Sequence, residues 1–111
     1  MKKTRDEIII EYNTDFSNPG AEKSGEVLYS SLLTRTKRLL PDNRDIVTEI
    51  FRKWLEMRNK VETNMAMRIL MEIKMPELLP ELVKLREDII EGKIFTKLHL
   101  RLVDRAISNN S

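Results

Sequence analysis

The sequence predicts an all-α protein: an antiparallel four-helix bundle, with room for a short extra helix, behind an irregular N-terminal segment. Three observations lead there. Four stretches repeat apolar residues at the 3.6-residue helical period, separated by Pro, Gly or Asx punctuation. Aromatic residues are only 5% of the 111, which argues against strands, where aromatic and β-branched side chains concentrate. An apolar share of 41% beside a charged share of 34% is too apolar for a disordered chain and too charged for a membrane-embedded one. At this length the chain reads as one helical-bundle domain, 1–111, around a single core.

Residues 1–20 read as an irregular lead-in. Asn13, Asp15, Ser17, Asn18, Pro19 and Gly20 crowd into a turn. Tyr12 and Phe16 fold back on the core, because an apolar ring left in water forgoes about 1.5–3 kcal/mol of burial. The first helix spans Ala21 to Leu40 and buries Val27, Leu28, Leu32, Leu39 and Leu40. Gly25 within it costs about 1 kcal/mol relative to alanine. Pro41 ends it, and Asp42 and Asn43 supply N-caps for the next helix.

The second helix carries Ile46, Val47, Ile50, Phe51, Trp54, Leu55 and Val61 on one face. Arg52, Lys53, Glu56 and Lys60 take the other. No Gly or Pro lies between Asp42 and Met75, so one helix through Lys74 is a possible reading. The poor helix formers of Asn59–Asn64 favour a break there, with a short third helix over Met65, Ile69, Leu70 and Ile73. The next helix begins between Pro76 and Pro80 and runs to Glu91, burying Leu78, Leu79, Leu82, Val83, Leu85, Ile89 and Ile90. Gly92 is its C-cap glycine. Thr96 caps a last helix containing Leu98, Leu102, Val103, Ala106 and Ile107, and Ser108–Ser111 fray.

Side-chain chemistry excludes several functions. Without cysteine there is no disulfide, thiol nucleophile or thiolate metal site. The sole histidine, His99, rules out a His-pair metal site within one chain and reads as a residue on the flank of the last helix. Glycines 20, 25 and 92 are isolated, so no phosphate-cradling loop exists. Glu77, Glu81, Asp88 and Glu91, with Glu87 beside them, read as a solvated acidic face rather than an acid–base pair. No catalytic residue, cofactor, metal or small-molecule substrate is expected. No apolar run approaches the roughly 18 residues needed to span a bilayer, and no signal peptide is visible, so a cytoplasmic location is expected.

Charge placement is the most suggestive pattern. The net charge is only +2, but Lys93, Lys97, Arg101 and Arg105 recur every four residues, which on a helix makes one basic stripe. Residues 93–111 hold four basic side chains and one acidic, whereas residues 75–92 hold two basic and five acidic. Either the two segments pair their charges, or the stripe meets anionic lipid, an acidic partner or a nucleic-acid backbone. A second basic group, Arg35, Lys37, Arg38 and Arg44, lies near the first inter-helix turn, where the helix dipole already accounts for the first three. Met57, Met65, Met67, Met71 and Met75 read as core filler, or else as an adaptable partner-binding groove.

Three stretches resemble the immunity proteins of pediocin-like (class IIa) bacteriocins, in particular the carnobacteriocin-type branch. They are the lead-in YNTDFSNPGAEKSGEVLYSSLL, the proline-started helix IKMPELLPELVKLREDIIEGKI and the closing TKLHLRLVDRAI. The resemblance implies a small cytoplasmic antiparallel four-helix bundle, peripheral at the inner membrane face. It implies protection of the producing cell through the mannose phosphotransferase permease with bound bacteriocin. The C-terminal half, linked in that family to the choice of bacteriocin, holds the basic stripe. Lys93, Lys97, Arg101 and Arg105 are therefore expected to face the receptor or an anionic membrane surface. Nucleic acid is not expected as a partner under this reading. The competing reading is a helical adaptor subunit of a nucleic-acid or transcription-associated complex, with the Met-rich segment as its groove.

Overall fold

A computed structural model describes residues 1–20 and 24–111. Among these residues the chain is all-helical, with five α-helices, one 3₁₀ turn and no strand. The helices are α1 (Arg5–Phe16), α2 (Gly25–Met57), α3 (Glu62–Ile69), α4 (Leu79–Ile90) and α5 (His99–Asn110), with the 3₁₀ turn Pro76–Leu78 ahead of α4. The chain divides into two compact units, Met1–Ile50 and Phe51–Ser111.

In the first unit the expected irregular lead-in is instead helix α1. Thr4, Arg5, Asp6 and Glu7 form a capping box: Thr4 accepts from the Glu7 N–H, and the Glu7 carboxylate accepts from the Thr4 N–H at 3.0 Å. Ile8, Tyr12 and Asp15, spaced by four and three, make the buried stripe. The turn expected across 13–20 shrinks to its end, where Asn18 Oδ1 accepts from Gly20 N–H at 2.9 Å. The expected helix start at Ala21 lies outside the described residues.

The boundary expected at Pro41 is present two residues later: α2 consists of two helical stretches that meet at a kink at Asn43 (φ −130°, ψ 29°), with Pro41 in the last turn of the first. Asn43 is buried and repairs the bend with its side chain. Its Nδ2 donates to the Leu39 and Met1 carbonyls at 3.3 Å each, and its Oδ1 accepts from Lys3 N–H at 2.7 Å. The residue read as an N-cap thus stands at the junction of the two stretches, where its side chain is held by Lys3, Met1 and Leu39 rather than by the N–H groups of the helix that follows.

Arg35 belongs to a polar cluster in this unit and is not a free cation. Its Nε and Nη2 donate to Asp15 at 2.6 and 3.2 Å, and its Nη1 donates to Glu11 at 2.7 Å. Glu11 in turn holds Lys3 at 2.6 Å. This paired arrangement is what lets Asp15 be buried.

Tyr12, only 1% exposed, shares a 2.7 Å hydrogen bond with Thr36, whose hydroxyl also donates to the Leu32 carbonyl. Burial pushes the Tyr12 phenol well above its ordinary range, opposed only in part by the Thr36 bond. A raised acid keeps its full stabilising state below the unfolded phenol pKa of about 10 and loses it as pH climbs beyond. Stability should therefore fall above about pH 10 by up to roughly 1.4 kcal/mol per pH unit from this group. Urea unfolding between about pH 9 and about pH 11.5 should show that component in the parent and not in Tyr12→Phe. Equal slopes in the two proteins would mean that the phenol ionises in place.

In the second unit the break expected across Asn59–Asn64 is present. α2 stops at Met57, and Arg58 takes the left-handed conformation (φ 55°) usually left to glycine. Its guanidinium compensates by donating to the Leu55 carbonyl at 2.6 Å and to Asp88 at 2.8 Å. Asn59 Oδ1 then accepts from the N–H groups of Val61, Glu62 and Thr63, at 3.1, 2.8 and 3.3 Å, and so starts α3. Thr63 clips the turn together: its hydroxyl donates to the Trp54 carbonyl at 2.6 Å and accepts from Asn59 N–H at 3.0 Å.

Phe51 stacks on Trp54 at 5.0 Å, and Met67, Leu70, Met75, Leu78, Leu82 and Leu85 are fully buried. α5 packs on α4 and α3. The C-terminus does not fray: α5 continues to Asn110, which is buried. Five residues expected inside, Val27, Val61, Val83, Ile90 and Leu98, are exposed instead.

Candidate functional site

The basic stripe was read on a helix starting near Thr96, and the local geometry alters it. α4 ends in a Schellman motif. Gly92 (φ 77°) donates its N–H to the Ile89 carbonyl at 3.1 Å, and Lys93 donates its own to the Asp88 carbonyl at 2.9 Å. The chain then runs through Lys93–Leu98, with Phe95 at φ 58°. Thr96 does not cap α5. Its hydroxyl lies 3.3 Å from His99 Nδ1, and its N–H donates to the same nitrogen at 3.4 Å, so α5 has no side-chain cap. Lys93 and Lys97 thus precede the helix, and only Arg101 and Arg105 lie along one of its faces.

The four cations also differ in freedom. Lys93 bridges to Glu91 at 2.8 Å and approaches Asp88 at 3.9 Å, and the Glu91 hydrogen bond holds its ammonium above the usual lysine range. The Asp88 carboxyl lies below its usual range, chiefly through the Arg58 hydrogen bond. Lys97, Arg101 and Arg105 are exposed, and no ion pair joins them to an acid among the described residues.

The expected pairing between the acidic and basic segments is present twice over: Lys93 takes it in the expected polarity with Glu91 and Asp88, and a second pair reverses it. Arg86 of α4 donates to Asp104 of α5 at 2.6 Å. An exposed pair of this kind stabilises little, but it engages the one acidic residue of the 93–111 stretch. Beside the three free cations stands Leu98, 83% exposed at the N-cap of α5. At about 100° per residue, Leu98, Arg101 and Arg105 fall within an arc of roughly 60°, turned away from the buried Val103, Ala106 and Asn110. Sequence reasoning placed Leu98 in the core. Its place on that outward arc is what exposes it.

Three of the acidic candidates hold cations, although Glu81 Oε2 is buried without a hydrogen-bond partner among the described residues. Glu81 accepts from Arg52 at 3.0 Å, and Asp88 and Glu91 hold the partners given above. Among the described residues no group of three His, Asp or Glu side chains is placed to hold a metal ion. Met65, Met67 and Met75 are buried and fill the core, whereas Met57 is exposed. His99 stacks face to face on Phe95, with ring centroids 4.4 Å apart and planes 13° from parallel. The pair lines a cleft of about 360 Å³ with Lys60, Asn64 and Thr96. Among the described residues no helix is long and apolar enough to cross a membrane.

No protein-family model, no curated protein and no solved structure matches this chain.

Proposed function

We propose that this protein is a bacteriocin immunity protein, acting from the cytoplasmic side on the mannose phosphotransferase permease with its bound peptide. The reading carries with it the antiparallel four-helix arrangement of the class IIa immunity proteins that three stretches of the sequence resemble. One observation of the structure carries it furthest: the exposed face of Lys97, Leu98, Arg101 and Arg105, three cations without an acidic partner among the described residues around one apolar side chain. Such a face suits an anionic headgroup region, where cations stay at the phosphates and a single leucine reaches the acyl boundary. The mode of action is binding, with no bond made or broken.

The test is expression in a bacteriocin-sensitive Gram-positive host carrying a mannose permease, challenged with a panel of class IIa peptides. Tolerance should rise strongly towards one peptide and not towards its neighbours. No protection against any member, with soluble helical protein present in the cells, would overturn the reading.

A further inference from the structure

The cleft beside the α5 N-terminus concentrates groups that the immunity reading does not use. It is lined by Lys60, Asn64, Phe95, Thr96 and His99, all in the second unit. Lys60 is exposed and has no acidic partner among the described residues. The Asn64 side chain makes no hydrogen bond among the described residues; its enclosed Oδ1 is an acceptor that no anion can satisfy, so Nδ2 is the group it offers to one. His99 Nδ1 accepts from Thr96 N–H, so the neutral ring carries its proton on Nε2 and offers a donor there.

The wall of the cleft is aromatic and strained. Phe95 holds a left-handed backbone that disfavours a bulky residue, and in that conformation its ring lies flat on His99. An ammonium, an amide and an imidazole N–H beside a flat apolar platform describe a receptor for a planar anion with an aromatic body. The size narrows the class. About 360 Å³ is at the lower end of small-molecule sites, enough for a single ring and its acid group and too little for a nucleotide. One unpaired ammonium suits a monoanion better than a phosphate ester.

We propose that this cleft binds a single-ring aromatic carboxylate, with its carboxylate on Lys60 and Asn64 and its ring against Phe95 and His99. The carboxylate belongs either to a free small acid or to the C-terminal residue of a peptide. The proposal stands apart from the immunity reading and does not depend on it.

The test is an NMR titration of the whole chain with phenylacetate, N-acetylphenylalanine and N-acetylphenylalanine amide. Both acids should move the Thr96, His99 and Asn64 resonances saturably, with a dissociation constant on the order of 1 mM or tighter, and the neutral amide should not. Tighter binding of phenylacetate assigns the site to a free acid, and tighter binding of N-acetylphenylalanine assigns it to a peptide terminus. Lys60→Gln, a change at an exposed side chain, should weaken both acids about tenfold while leaving the rest of the spectrum in place. Phe95→Gly, which relieves the backbone strain and removes the platform, should weaken them as well. The absence of saturable shifts with either acid up to about 10 mM, equal shifts with the neutral amide, or unchanged binding by Lys60→Gln would each overturn the proposal.

Discussion

Asn110→Ala should destabilise the second unit by about 2–4 kcal/mol, although the residue stands next to last in the chain. Asn110 is 2% exposed. Its Oδ1 accepts from Met75 N–H at 2.6 Å, and its Nδ2 donates to the Leu70 and Ala106 carbonyls at 2.8 and 2.7 Å. Met75 itself is fully buried, so the truncation leaves its N–H without water or a partner, at a cost of about 1–3 kcal/mol. The two carbonyls lose less. Leu70 still receives Asn109 Nδ2 at 3.0 Å, and the Ala106 carbonyl lies in the last turn of α5. Deleting Ser111 alone should cost little, since its hydroxyl donates only to the exposed helix end at Ile107. Urea unfolding with an unchanged slope measures the difference. A loss below about 0.5 kcal/mol for Asn110→Ala would show that the C-terminus frays after all.

The same residue shows where reading the sequence runs out. Asn, Asn and Ser at a chain end have poor helix propensity, and nothing local announces that Met75, 35 residues earlier, needs an acceptor. Asn43 is parallel: its partners, Lys3 and Met1, are about forty residues away, and they are what let α2 bend past Pro41. Features closed by local bonds were legible. The break after Met57 follows from Asn59 and Thr63, and the stop at Gly92 follows from a glycine at the left-handed position. The α1 signal was also local, in the Thr-x-x-Glu of residues 4–7, but the Asx-rich turn beyond it outweighed it. Periodicity sorted most apolar residues correctly and failed at edges. Val61 and Leu98 stand at the N-caps of α3 and α5, and Leu98 falls on the outward arc with Arg101 and Arg105. For the candidate site, the residue types were legible, while the division into tied Lys93 and free Lys97, Arg101 and Arg105 depends on where α5 begins.

That division sets the second large effect. Reversing Lys97, Arg101 and Arg105 to Glu together should abolish protection while leaving the fold intact. Each exposed cation near an anionic surface contributes about 1 kcal/mol of attraction, so the reversal swings the interaction by several kcal/mol, a fall of orders of magnitude in partitioning. Folding has little to lose, because these side chains are exposed and form no ion pair among the described residues. Glu at position 101 even lies in the first turn of α5, where a negative charge suits the helix dipole and offsets repulsion from Asp104 by a few tenths of a kcal/mol. Lys93→Gln is the contrast. Its charge is already held by Glu91 and Asp88, so binding to anionic vesicles should change far less than in the triple variant. Leu98→Asn should weaken vesicle binding with no cost to stability, a loss that a purely electrostatic contact would not show, since no charge changes. Helical content and urea midpoint report the fold, sedimentation with phosphatidylglycerol vesicles reports the surface contact, and peptide challenge reports protection. Full protection by the folded triple variant would reduce this face to solvated surface, because a contact built on these three charges cannot survive their reversal.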